Sequence, residues 1–237
     1  MQKSLAALSM IAFWWFLAHG TVVQASTSEV DASFAQDWEF LYVKDGIKVY
    51  KKDFPGSSIV GFKGEMDLDT SLDRVFTVLS DLNYRRLWVD RLKDVEAIRA
   101  YPGGQGFVEY YRMAMPWPIS DRDFVISTRI TYDPIKKTMQ SITNSIEDPT
   151  KPVLPGVVRG TTHGTQIVLT PLAPGKTHLS FALHGDPNGY FPSWLINLIQ
   201  RNWPYNTLSM VRNALFDKNI NVIVCKEYYQ LVNRPAH

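Results

Sequence analysis

The chain has 237 residues, 45% of them hydrophobic, with 25 basic against 23 acidic side chains and a formal charge of +2. That near balance, without a lysine–arginine run, excludes the basic stripe by which a protein grips nucleic acid. A single cysteine, Cys225, excludes an intramolecular disulfide, so a packed core must hold the fold.

The N-terminus reads as a signal peptide over residues 1–25. Lys3 gives the positive start, Leu5 to Ala18 is apolar but for Ser9, and Val23-Gln24-Ala25 is a small-residue cleavage motif. The apolar run is shorter than the ~20 residues that span a bilayer. Export without cysteine pairs favours a bacterial periplasm. Residues 26–33 read as a flexible leader, and 34–237 as one domain with a C-terminal tail from about 217.

Phe34 to Tyr42 suggests a short helix, with Phe34, Trp38 and Leu41 on one face. Ile47–Lys52 and Ile59–Met66 alternate as strands around the Pro55-Gly56 turn. Thr70 to Leu82 is a helix by its Leu72, Val75, Phe76, Leu79 stripe, with Thr70 and Asp73 resembling a capping box. Tyr84 to Val89 forms a turn with Trp88 packed inward. Six strands follow: Val95–Tyr101, Phe107–Met115, Phe124–Tyr132, Thr138–Ile146, Thr165–Leu172 and Lys176–Gly185. Tight turns between most of them make an antiparallel sheet. A last helix runs from Pro192 to about Phe216, with Leu195, Leu198, Ile199, Asn202, Leu208, Val211 and Leu215 as its apolar stripe and a kink at Pro204. At ~36 Å it matches a ten-residue strand in length, enough to cover a curved sheet. The fold class is α+β.

The chemistry-bearing residues are few. No G-x-S-x-G, Walker or dinucleotide motif is present. His178 and His184 share a strand face but lie ~20 Å apart by strand rise, and His163 has no close companion in sequence, so neither a metal nor a cofactor is expected. On the strand Phe107–Met115 one parity carries Phe107, Glu109, Tyr111, Met113 and Met115, an inner face of large adaptable side chains with one acid among them. A buried carboxylate is costly unless paired, so Glu109 is either a ligand-directed group or a structural hydrogen-bonding one. Phe124, Ile126 and Thr128 share the inward parity of the next strand. With Leu195, Leu198 and Asn202 of the last helix they complete the candidate binding set. The stiff loop Met115-Pro116-Trp117-Pro118, continuing to Asp121, is the candidate gate, with Arg122 and Asp123 tying it to the sheet by an ion pair and backbone bonds.

Pro116-Trp117-Pro118-Ile119-Ser120-Asp121-Arg122-Asp123-Phe124-Val125 closely resembles the signature of StAR-related lipid-transfer (START) domains. Asp186 to Asn197 resembles the family's entry into its last helix. Val158-Arg159-Gly160 followed by Ile167 to Leu172 is a third, weaker match, and together the three span roughly residues 35 to 216. The resemblance implies the helix-grip fold, a long curved antiparallel sheet wrapped around a C-terminal helix. It also implies a cavity closed by that helix and the 115–121 loop, and an acid at Glu109 inside it. The family's basic partner falls near Thr128, with Arg129 facing outward, so a hydrogen bond from Thr128 or a water is expected instead of a salt bridge. The implied function is binding and transfer of a lipid or other hydrophobic ligand by a monomer in transient contact with membranes, without catalysis. The alternative is an enzyme of the related polyketide cyclase/aromatase type using Glu109 for proton transfer. A third reading is an interaction module whose pocket is filled by side chains.

Overall fold

The computed structural model describes Phe34 and residues 37–223. The expected signal peptide, the leader, Cys225 and the end of the tail lie outside the described residues.

The chain opens with a hairpin of β1 (Glu39–Lys44) and β2 (Ile47–Lys52). The helix expected over 34–42 gives way to strand from Glu39 on. Asp45 and Gly46 both take positive φ, 49° and 76°, the backbone of a two-residue hairpin turn for which Asp-Gly is a strong signal. That turn pairs Lys44 with Ile47 and draws the preceding residues into the sheet. β3 (Gly61–Leu68) follows, then helix α1 (Leu72–Ser80). The N-cap is Ser71, whose hydroxyl accepts from Arg74 N at 3.3 Å, not Thr70; the Thr70 carbonyl instead accepts from Thr177 Oγ1 at 2.9 Å. A short 3-10 turn, Leu82–Tyr84, leads into α2 (Arg85–Trp88). Trp88 is buried as expected and donates from Nε1 to Val78 O at 2.9 Å.

The remaining strands are β4 (Leu92–Ala100), β5 (Gly106–Met113), β6 (Arg122–Asp133), β7 (Thr138–Ser145), the short β8 (Val158–Arg159), β9 (Thr161–Ala173) and β10 (Lys176–Asp186). The sheet order is β1-β2-β3-β10-β9-β7-β6-β5-β4, with β8 beside β6. The β3–β10 pairing closes the N-terminal strands onto the C-terminal ones. β8, the only parallel partner among the described strands, is absent from the sequence reading because two residues carry no period.

The expected single last helix is two helices, α3 (Ser193–Gln200) and α4 (Trp203–Ala214). Pro204 falls in the first turn of α4, where its missing N–H leaves no bond unmade. The chain therefore breaks before the proline instead of bending at it. α4 packs against β3 so closely that a Cβ on Gly64 would stand 2.7 Å from Leu208 Cδ1. Buried Ile47, Val49, Met66, Val75, Val78, Leu208 and Val211 form the core around that contact.

Candidate functional site

Sheet and helices enclose a cavity of about 370 Å³, where one water needs only ~10–15 Å³ by the same measure. Phe107, Tyr111, Met113, Phe124, Ile126 and Thr128 all line it, as the alternation of β5 and β6 requires. α1 adds Phe76 and Leu79.

From the C-terminal helices the lining residues are Ile196, Ile199, Gln200, Trp203 and Thr207. Leu195, Leu198 and Asn202 do not line the cavity, and Leu198 is 58% exposed. The expected face is rotated by one residue. Asn197 sets the rotation: its Oδ1 accepts from Val60 N at 3.0 Å and its Nδ2 donates to Ser58 O at 3.2 Å. Pinning that side chain to the β2–β3 loop turns Ile196 and Ile199 toward the cavity.

Glu109 is 2% exposed, and its two oxygens accept from Arg85 Nη2 at 2.9 and 3.1 Å. The inward parity is right, but the expected partner is not. A salt bridge is present after all, supplied by α2 instead of β6. Nor does Glu109 touch the cavity. Arg85 stands in front of it, lines the wall, and keeps its Nε–H buried without a hydrogen-bond partner. Burial pushes the Glu109 carboxyl above its usual range, and the charge and hydrogen bond of Arg85 offset part of that rise. The Tyr111 hydroxyl is also pushed up, first by burial and then by the Glu109 charge. Thr128 bonds to the hydroxyl of Thr143 at 2.8 Å, not to Glu109.

At the mouth, Met115 and Ile119 line the opening; Pro116, Trp117 and Pro118 do not. Trp117 is 93% exposed and thus fills no core. The ion pair and the backbone bonds expected of Arg122 and Asp123 are divided between them. Asp123 is fully buried and accepts from Arg159 Nε at 2.7 Å and Nη2 at 3.0 Å. Arg122 instead donates to the carbonyls of Pro187 and Asn188, both at 3.0 Å, tying the gate loop to the segment that enters α3. Successive side chains on a strand point to opposite faces, which separates the two.

His163 does have a companion in space: its ring lies 4.9 Å from that of His184 on the outer face of the sheet. Among the described residues, no three His, Cys, Asp or Glu side chains come together to hold a metal.

The START domain family model matches residues 19–215. An uncharacterized protein of Pseudomonas aeruginosa is 28% identical over 82% of this chain and 95% of its own length. The phosphatidylcholine transfer protein of Mus musculus is 27% identical over 73% of this chain and 80% of its own. Among solved structures, a STAR-related lipid transfer protein fragment from Xanthomonas axonopodis superposes with a TM-score of 0.67 at 28% identity, covering 76% of this chain and 99% of that one. By that match and by the helix-grip architecture of its sheet and C-terminal helices, the chain belongs to the START domain family.

Proposed function

We propose that the chain binds a lipid in this cavity and carries it between membranes. One observation bears most of the weight: an apolar hollow of about 370 Å³ whose wall includes Arg85, with an Nη1 that makes no hydrogen bond to a described residue. A guanidinium can only donate, so an acceptor on a lipid head group suits that position. Apolar chain surface buried at ~25 cal/mol per Å² supplies the driving force. The relatives named by function, in mouse and Xanthomonas, are lipid transfer proteins. Both Glu109 oxygens are spent on Arg85, away from the cavity, which favours a binding role over proton transfer. Exposed Trp117, Tyr190 and Trp194 suit contact with a membrane interface, and the Lys3-led apolar run supports export to a bacterial periplasm.

Solvent extraction of the purified protein followed by mass spectrometry tests the reading. A co-purifying lipid near one equivalent per chain is the expected result. Protein that emerges empty, and that takes up no lipid from vesicles, overturns it.

A further inference from the structure

A row of hydroxyls crosses the concave face where an apolar container needs none. Thr128 on β6 pairs in register with Thr143 on β7, and Thr143 with Thr165 on β9. All three line the cavity. Valine has the same shape, suits an inward strand position at least as well, and avoids the cost of taking a hydroxyl out of water. Thr128 and Thr143 bond to each other at 2.8 Å, which uses one of their two hydroxyl hydrogens. Thr165 makes no side-chain hydrogen bond to another described residue. Two hydroxyl hydrogens thus face the hollow without a protein acceptor.

Arg85 provides the second station. It lines the cavity, its Nη1 makes no hydrogen bond to a described residue, and a guanidinium can only donate. Its partner Glu109 lies one inward position along β5 from Phe107, and Phe107 pairs with Thr128. The row and the ion pair are therefore separated by ~7 Å along the strands and ~5 Å across each strand. Both stations present donors.

We propose that the Thr128–Thr143–Thr165 row is an ester subsite, and that the ligand is an acyl lipid. Its polar head accepts from Arg85, and its ester carbonyls accept from the threonine hydroxyls. The assignment rests on the lipid-binding reading and narrows it. A hydrocarbon isoprenoid brings no acceptor to either station, and a sterol with one hydroxyl can serve only one. An acyl ester serves both. Because Glu109 balances the charge of Arg85, the head group needs an acceptor oxygen, not a net negative charge.

The test separates the carbonyl from everything else in the lipid. The full chain is incubated with vesicles containing equal amounts of diacyl phosphatidylcholine and its dialkyl-ether counterpart of the same chain length. The bound ratio is then read by mass spectrometry. The wild type is expected to load the ester about fivefold over the ether, the worth of one net hydrogen bond. Thr143→Val with Thr165→Val should bring the ratio near one, and Thr143→Ser with Thr165→Ser should keep the preference. Equal loading of the two lipids by the wild type, or an unchanged ratio in the valine variant, overturns the subsite and leaves lipid binding standing. Uptake of neither lipid overturns both.

Discussion

The ring of His184 lies flat against Phe54, with 4.0 Å between centroids and 5° between planes, and its Nε2 is 3.0 Å from Ser57 Oγ. Burial, and secondarily the neighbouring His163, hold its pKa down to about 4, although Asp186 and a backbone bond at Ile59 pull the other way. The folded value lies below the unfolded one near 6.5, so between those values the unfolded chain takes up the proton first. Stability from this residue is therefore complete above pH ~6.5 and is lost as pH falls toward 4. After discounting for solvent screening the loss is on the order of 1–2 kcal/mol, less than the full shift implies. Urea denaturation of the wild type and His184→Gln across that range should show the variant with the flatter profile, and parallel profiles would contradict it. Comparing the two cancels the other titrating groups, among them Asp148, held to about 2 chiefly by hydrogen bonds from Thr150 and Arg99. Strand parity places Glu109 inward, since a period of two needs only a few residues to show. It could not give Arg85. A four-residue helix has no readable period, and its arginine precedes the acid by 24 positions. The His163–His184 pair was hidden for a related reason, because the strand register that joins them is set by β9 and β10 as a whole.

At the scale of elements, α3 is the mobile candidate because few bonds hold it. Ser193 meets Ser58 at 2.8 Å, Asn197 holds the backbone of Ser58 and Val60, and Gln200 donates to Gly185 O at 3.0 Å. α4, in contrast, is anchored by buried Leu208 and Val211 in the main core. The break between Gln200 and Trp203 lets one helix lift while the other stays. Asn197→Ala removes two of the bonds that keep α3 down, each worth ~1 kcal/mol net. Lipid transfer between donor and acceptor vesicles should speed up by up to about thirtyfold, while resistance to urea, governed by the α4 core, changes little. A variant that transfers at the wild-type rate would show that α3 is not what lipid exchange waits for. Helical spacing alone made α3 and α4 read as one rod, since apolar residues continue across the break. The rotation of α3 was equally invisible, because it depends on where a loop more than a hundred residues earlier offers Asn197 its partners.

Across the whole molecule, the exposed aromatic side chains among the described residues include Phe40 and Phe216, and three others come from separate segments that each reach the cavity. Trp117 belongs to the loop before β6, Tyr190 to the loop after β10, and Trp194 to α3; they are 93%, 108% and 67% exposed. Arg122 links the first two segments through the Pro187 and Asn188 carbonyls, and residues of all three segments line the cavity. The three rings thus sit on segments whose other residues line the cavity. A soluble surface that shows such rings gains by placing them at a membrane interface, where each tryptophan can bury ~150–250 Å². At ~25 cal/mol per Å² that is several kcal/mol per ring. Trp117→Ala together with Trp194→Ala should therefore leave the urea midpoint within ~0.5 kcal/mol and leave bound lipid in place. Vesicle-to-vesicle transfer should fall by tenfold or more. Because the lost contact is apolar, the fall should be of similar size on neutral and on anionic vesicles, and changing the salt concentration should not restore it. Normal transfer by that variant would mean that the lipid leaves by another opening, or that the mouth opens without touching the bilayer.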